Sequence, residues 1–144
     1  MGEARVIRDE RGRMVIPGEH YYAFDSAGDV MIGPAPSSQS LYVFPPAAWS
    51  DLVDRLRQAK EEGDPEAGAF LRLYTSLYRR ERIQGKSRRI DVTADLADLA
   101  GLGQSVSVVG RDDRLQVFSE TAWQQRQAEI LGEVKPLAEK SRWD

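Results

Sequence analysis

The chain repeats itself, and no other feature limits its possible folds as much. Leu41-Tyr-Val-Phe-Pro-Pro-Ala-Ala-Trp49 returns as Leu115-Gln-Val-Phe-Ser-Glu-Thr-Ala-Trp123, with five of nine positions identical at an offset of 74. Upstream, Arg13-Met-Val-Ile-Pro17 lines up with Arg89-Ile-Asp-Val-Thr93 at an offset of 76, and at that offset Val30 and Ile32 face Val106 and Val108. Matches that recur in the same order indicate a duplication. The offset changes where 34–40 gives way to the shorter 111–114. A length of 144 residues suits one compact domain or two fused small halves, and is too short for a large multidomain enzyme.

Each copy reads as short strands followed by a helix. In the first, a strand at 4–8 runs into a turn at Asp9-Glu-Arg-Gly12, whose glycine suits a positive φ. The strand 13–16 follows and stops at Pro17, which has no N–H for a ladder. A short helical or irregular piece spans 18–24. Strands are expected near 29–32 and at 40–44, separated by a Pro- and Ser-rich loop. The spacing of Trp49, Leu52, Val53, Leu56 and Ala59 predicts an amphipathic helix over 46–61, with Pro46 in its first turn and Gly63-Asp-Pro65 closing it. A second helix, 65–78, aligns Phe70, Leu73, Tyr74 and Leu77. The second copy repeats the design with a strand at 88–92 and a short helix from the N-cap candidate Thr93 to Ala100, stopped by Gly101. Strands at 105–109 and 114–118 come next, then a helix over 119–131 and a charged, frayed tail. The organisation expected is therefore a first half at 1–64, a connecting helix and basic linker at 65–81, a second half at 82–131 and a tail at 132–144. Neither half buries enough to stand alone. Two halves pairing their strands would close a shared barrel with helices outside, and each Trp would fasten its helix to that barrel.

Composition excludes several classes of function. With 41% hydrophobic and 30% charged residues, the chain reads as a soluble globular protein. Its apolar runs are too short for a membrane helix, and Met-Gly-Glu-Ala-Arg at the start is no secretory signal, so the expected location is the cytoplasm. Cys is absent, which excludes disulfides, thiolate zinc sites and cysteine nucleophiles. The net charge is −3, yet 72–89 carries seven basic residues against Glu81 alone, a local +6. That run is either a solvated connector or a basic field on an acidic body. Tyr74 within it belongs to the apolar stripe with Leu77, which argues against stacking on single strands.

Asp9-Glu-Arg-Gly-Arg13-Met-Val-Ile-Pro17 resembles the MraZ family, whose halves carry Asp-x-x-x-Arg running into a strand and a proline. The Leu-x-Val-Phe-x-x-x-x-Trp element, the Val-Val-Gly110 segment and the order of elements over about 3–131 resemble that family too. The resemblance implies an α+β fold, a pseudo-dimeric swapped-hairpin β-barrel of two AbrB/SpoVT-like halves with flanking helices. It implies a homo-oligomeric ring and a nucleoid-associated, sequence-specific regulator of double-stranded DNA. Such a regulator represses division and cell-wall genes through repeated promoter boxes, with no cofactor, metal, membrane or small-molecule substrate. Carried over by position, Asp9 braces the turn and Arg13, with Arg11 beside it, faces DNA. The chemistry fits, since arginine's planar fork addresses phosphate or a guanine edge and a carboxylate behind it fixes its orientation. The plainer reading is a surface salt bridge across a hairpin, worth little. In the second copy Gly85 aligns with Asp9, Arg88 with Gly12 and Thr93 with Pro17, while Arg89 is kept. Lys86, Arg88 and Arg89 make that loop the more basic one, suited to phosphates more than to bases.

An enzyme is the first alternative. His20 is the sole histidine, and no Gly-x-Ser-x-Gly elbow, phosphate loop or His-x-x-x-His spacing accompanies it. Beside Tyr21 and Tyr22 it reads as a packing residue, so no catalytic residue is assigned. The stronger alternative is an oligomeric scaffold of the same fold that has lost specific DNA binding.

Overall fold

The computed structural model describes residues 3–21, 24 and 28–143. The elements run β1 (Glu3–Ile7), β2 (Arg13–Val15), α1 (Gly18–Tyr21), β3 (Asp29–Pro34), β4 (Leu41–Phe44), α2 (Pro46–Glu61), α3 (Ala67–Ser76), β5 (Arg79–Arg82), β6 (Arg89–Asp91), α4 (Ala94–Ala100), β7 (Ser105–Gly110), β8 (Leu115–Ser119) and α5 (Glu120–Ala138). Of the expected piece at 18–24, Tyr22 and Ala23 lie outside the described residues.

The architecture is α+β, with a six-stranded antiparallel sheet in the order β1-β7-β8-β4-β3-β5 and a separate pair β2-β6. Exchanging equivalent strands of the two copies turns this order into its own reverse. Each copy thus gives its first strand to the third strand of the other: β1 pairs with β7, and β5 with β3. The pseudo-twofold runs between Met14 and Ile90, equivalent residues that pair with each other, and between Tyr42 and Gln116, which do the same.

The expected closed barrel is not found. The sheet is open, with β1 and β5 as its edges. β2 and β6 span only three residues each. Pro17 leaves β2 without a further donor and Thr93 turns the other chain into α4, so this ladder is too short to join the edges.

The duplicated apolar positions explain why the halves are inseparable. Met14 and Ile90, Ile16 and Val92, Val30 and Val106, Ile32 and Val108, Leu41 and Leu115, and Val43 and Val117 all lie buried in one cluster, with α4 contributing Leu96, Ala97 and Ala100. Each aliphatic side chain so buried contributes about 1.5–3 kcal/mol, and the cluster draws its members from both copies. A second cluster occupies the opposite sheet face, where Met31, Tyr42 and Phe44 lie under Val53 of α2 and Tyr74 and Tyr78 of the α3 segment. The close approach there depends on Gly33: a Cβ would stand 2.4 Å from the Tyr78 ring.

Two elements differ from expectation. β5 straddles the boundary expected between linker and second half, because the basic run contains a sheet strand. α5 continues to Ala138, seven residues beyond its expected end. Its start is capped by Ser119, expected as its first helical residue, whose hydroxyl accepts from the Ala122 N–H at 3.0 Å.

Candidate nucleic-acid interface

The turns at 9–12 and 84–88 are brought side by side by the β2-β6 pair. Gly12 (φ +80°) and Arg88 (φ +56°) adopt the left-handed conformation at equivalent places, which glycine favours and arginine tolerates at a cost.

Asp9 organises both turns. Its Oδ1 accepts the backbone N–H groups of Arg11 at 3.0 Å and Arg13 at 2.8 Å. Its Oδ2 accepts Nε of Arg13 at 2.8 Å and Nη1 of Arg89, from the other copy, at 3.3 Å. Burial pushes this carboxyl up, but the Arg13 and Arg11 hydrogen bonds and the Arg13 charge outweigh it and hold the group below its ordinary 3.8. Arg13 in turn donates from Nη1 to Oε1 of Gln84 at 3.2 Å. Each arginine is thus tied to the turn of the opposite copy, and the result is a crossed clasp.

The backbone corrects the alignment of the second turn. Asp9 N–H donates to the Arg13 carbonyl at 2.9 Å, and Gln84 N–H donates to the Arg89 carbonyl at 2.7 Å. The strand registers agree, since Val6 faces Val106 where Glu81 faces the equivalent Val30. The counterpart of Asp9 is therefore Gln84, and not Gly85. The second turn is one residue longer, and its brace is a neutral amide rather than a missing carboxylate.

The remaining candidates are placed differently. Arg11 and Lys86 are exposed at the two tips, while Arg13 and Arg89 are half-buried in the clasp. Arg88 turns inward, its guanidinium lying 3.2 Å from where a Cβ on Gly18 would stand. Arg8 went unnoticed in the sequence, yet it anchors the first turn to the second copy through the carbonyls of Gly103 and Val92, at 3.1 and 3.5 Å. No motif announces such a role, because its partners are backbone atoms more than 80 residues away. Part of the basic run is neutralised: Arg79 pairs with Asp95 and Arg80 with Asp29.

The sole histidine, His20, is buried and lines a cavity of about 320 Å³ with Phe24, Asp51 and Asp113. Among the described residues no group of three or more His, Cys, Asp and Glu side chains could hold a metal, and no helix is long and apolar enough to cross a membrane.

No family model matches the chain. Curated relatives do. A protein of Aromatoleum aromaticum is 29% identical over 130 residues, 90% of this chain and 87% of that one. One from Natranaerobius thermophilus is 26% identical over 139 residues, 96% and 94% of the two chains. One from Mycobacterium sp. (strain KMS) is 32% identical over 119 residues, 83% and 80% of the two. Each bears the name transcriptional regulator MraZ. With the duplicated architecture and a likeness of this extent, the chain belongs to the MraZ family of transcriptional regulators.

Proposed function

We propose that the clasped turns form a single surface that binds double-stranded DNA in a sequence-specific way. The observation that carries this reading is the convergence of Arg13 and Arg89 on Asp9 and Gln84, flanked by the exposed cations Arg11 and Lys86. A guanidinium whose fork is already oriented loses less freedom when it meets a guanine edge. Arg11 and Lys86 are free to contact phosphates, which position the protein without reading sequence, and Arg88 adds charge behind the second tip. The exchanged strands β1 and β5 support the swapped-hairpin reading of each half.

One chain offers too small a surface for tight and specific binding. The working form is accordingly a homo-oligomer, a ring whose copies engage repeated promoter boxes at high effective concentration. It represses division and cell-wall genes on the cytoplasmic nucleoid, as a regulator and not an enzyme.

Fluorescence anisotropy against the gene's own upstream duplex and a scrambled duplex, across a salt series, tests this. Arg13→Ala is expected to weaken binding to the upstream duplex about fivefold to 150-fold, as a lost bidentate contact worth ~1–3 kcal/mol implies. Scrambled-duplex binding should change little and fall steeply with salt. Failure to bind either duplex at low salt would favour the scaffold reading, which has its own support in the way both arginines are already tied to Asp9.

A further inference from the structure

The two clasped arginines are not held alike. Arg13 has its Nε on the Asp9 carboxylate at 2.8 Å and its Nη1 on Gln84 at 3.2 Å. Arg89 reaches the same carboxylate only through Nη1, at 3.3 Å. Gln84, the counterpart of Asp9, has one side-chain oxygen where the carboxylate has two, and Arg13 takes it. The Nε of Arg89 is held instead by the hydroxyl of Ser87, which accepts from it at 3.2 Å. Both guanidiniums are therefore fixed at Nε and Nη1. Among the described residues, Nη2 of neither has a partner.

The extra residue of the second turn supplies this hydroxyl. Counting back from the clasped arginine, Ser87 stands where the first turn has Arg11, and the exposed cation is displaced by one place to Lys86. The left-handed Arg88 (φ +56°) lies between Ser87 and Arg89, and the hydrogen bond spans that bend. A hydroxyl differs from a carboxylate in being neutral, so it orients a guanidinium without offsetting its charge. We propose that Ser87 is the positioning residue of the second turn, holding the Arg89 fork in the orientation that meets a base edge. A fork held in advance loses less freedom on binding, and its free Nη2 remains for the DNA. The second turn then reads bases and does not merely touch phosphates, against the expectation drawn from its basic sequence. This rests on the reading of the clasped turns as a DNA-binding surface, and adds to it a residue that sets specificity.

Anisotropy on the upstream and scrambled duplexes tests this role with Ser87→Ala and Ser87→Thr. A neutral hydrogen bond contributes modestly, so Ser87→Ala should lower the preference for the upstream duplex about twofold to tenfold. Affinity for the scrambled duplex and the salt slope should stay as in wild type, because no phosphate contact is removed. Ser87→Thr keeps the hydroxyl and should restore the preference. In the protein without DNA, the Arg89 Hε resonance should move in Ser87→Ala and return in Ser87→Thr. A Ser87→Ala protein that keeps the full preference would overturn the role of Ser87, and the DNA reading would stand if Arg13→Ala still loses it. An equal loss on both duplexes would also overturn the role, by making Ser87 a phosphate contact or a residue of the fold alone. So would an Arg89 Hε resonance that Ser87→Ala leaves in place, or a Ser87→Thr protein that behaves as Ser87→Ala does. A wild type that binds both duplexes alike would overturn both readings.

Discussion

Asp9 serves two turns with one carboxylate, because its oxygens divide the work: Oδ1 shapes its own turn, and Oδ2 holds an arginine from each copy. A group whose folded pKa lies below its unfolded value adds stability at higher pH. That contribution is complete above the ordinary 3.8 and disappears as the pH falls through the lower, folded value. In an acid titration followed by NMR, the Arg13 Hε resonance should therefore shift with a midpoint below 3.8. A midpoint at or above that value would mean that the clasp does not hold the carboxylate. The sequence shows Asp9 and Arg13 by their spacing, since a carboxylate four residues ahead of an arginine is a local pattern. It hides the role of Gln84. The second turn is longer by one residue, so counting from the repeat lands on Gly85, and only the backbone hydrogen bonds show which side chain stands in the same place.

At the level of elements, the helices were legible wherever one face is apolar. The 3.6-residue period of Trp49, Leu52, Val53 and Leu56 gives α2 its observed bounds of Pro46 and Glu61. β5 was not legible. Arg79-Arg-Glu-Arg82 shows no alternation of apolar and polar residues, and it is a strand only because the exposed edge of β3 pairs with it. An edge strand rich in charge is also a common guard against unwanted pairing. The outer sheet face depends on Gly33, where the Tyr78 ring leaves no room for a methyl group and the Tyr78 hydroxyl donates to the Pro34 carbonyl at 2.9 Å. Gly33→Ala should destabilise the fold by about 1–3 kcal/mol through overpacking, measured as a shift in urea midpoint at unchanged slope. No change would show that Tyr78 can move aside freely. The equivalent β7 position is Val109, a side chain that lines a cleft with Phe118 and Trp123.

The whole molecule is one core written twice and exchanged. The repeat implied pairing between halves, and the shared cluster of equivalent residues shows it. The expected barrel did not follow, since closure depends on ladder length and β2 and β6 are too short to provide it. The exchange has a functional consequence, because neither turn is built by one copy alone. A double-mutant cycle on binding tests whether the two turns act together on DNA. Affinity for the upstream duplex would be measured for wild type, Arg13→Ala, Arg89→Ala and the double variant at fixed salt. Turns that act together should give a loss in each single variant and a double loss that departs from their sum by more than about 0.5 kcal/mol, the usual margin for independent sites. Losses that add within that margin, or an Arg89→Ala protein that binds as wild type does, would contradict it.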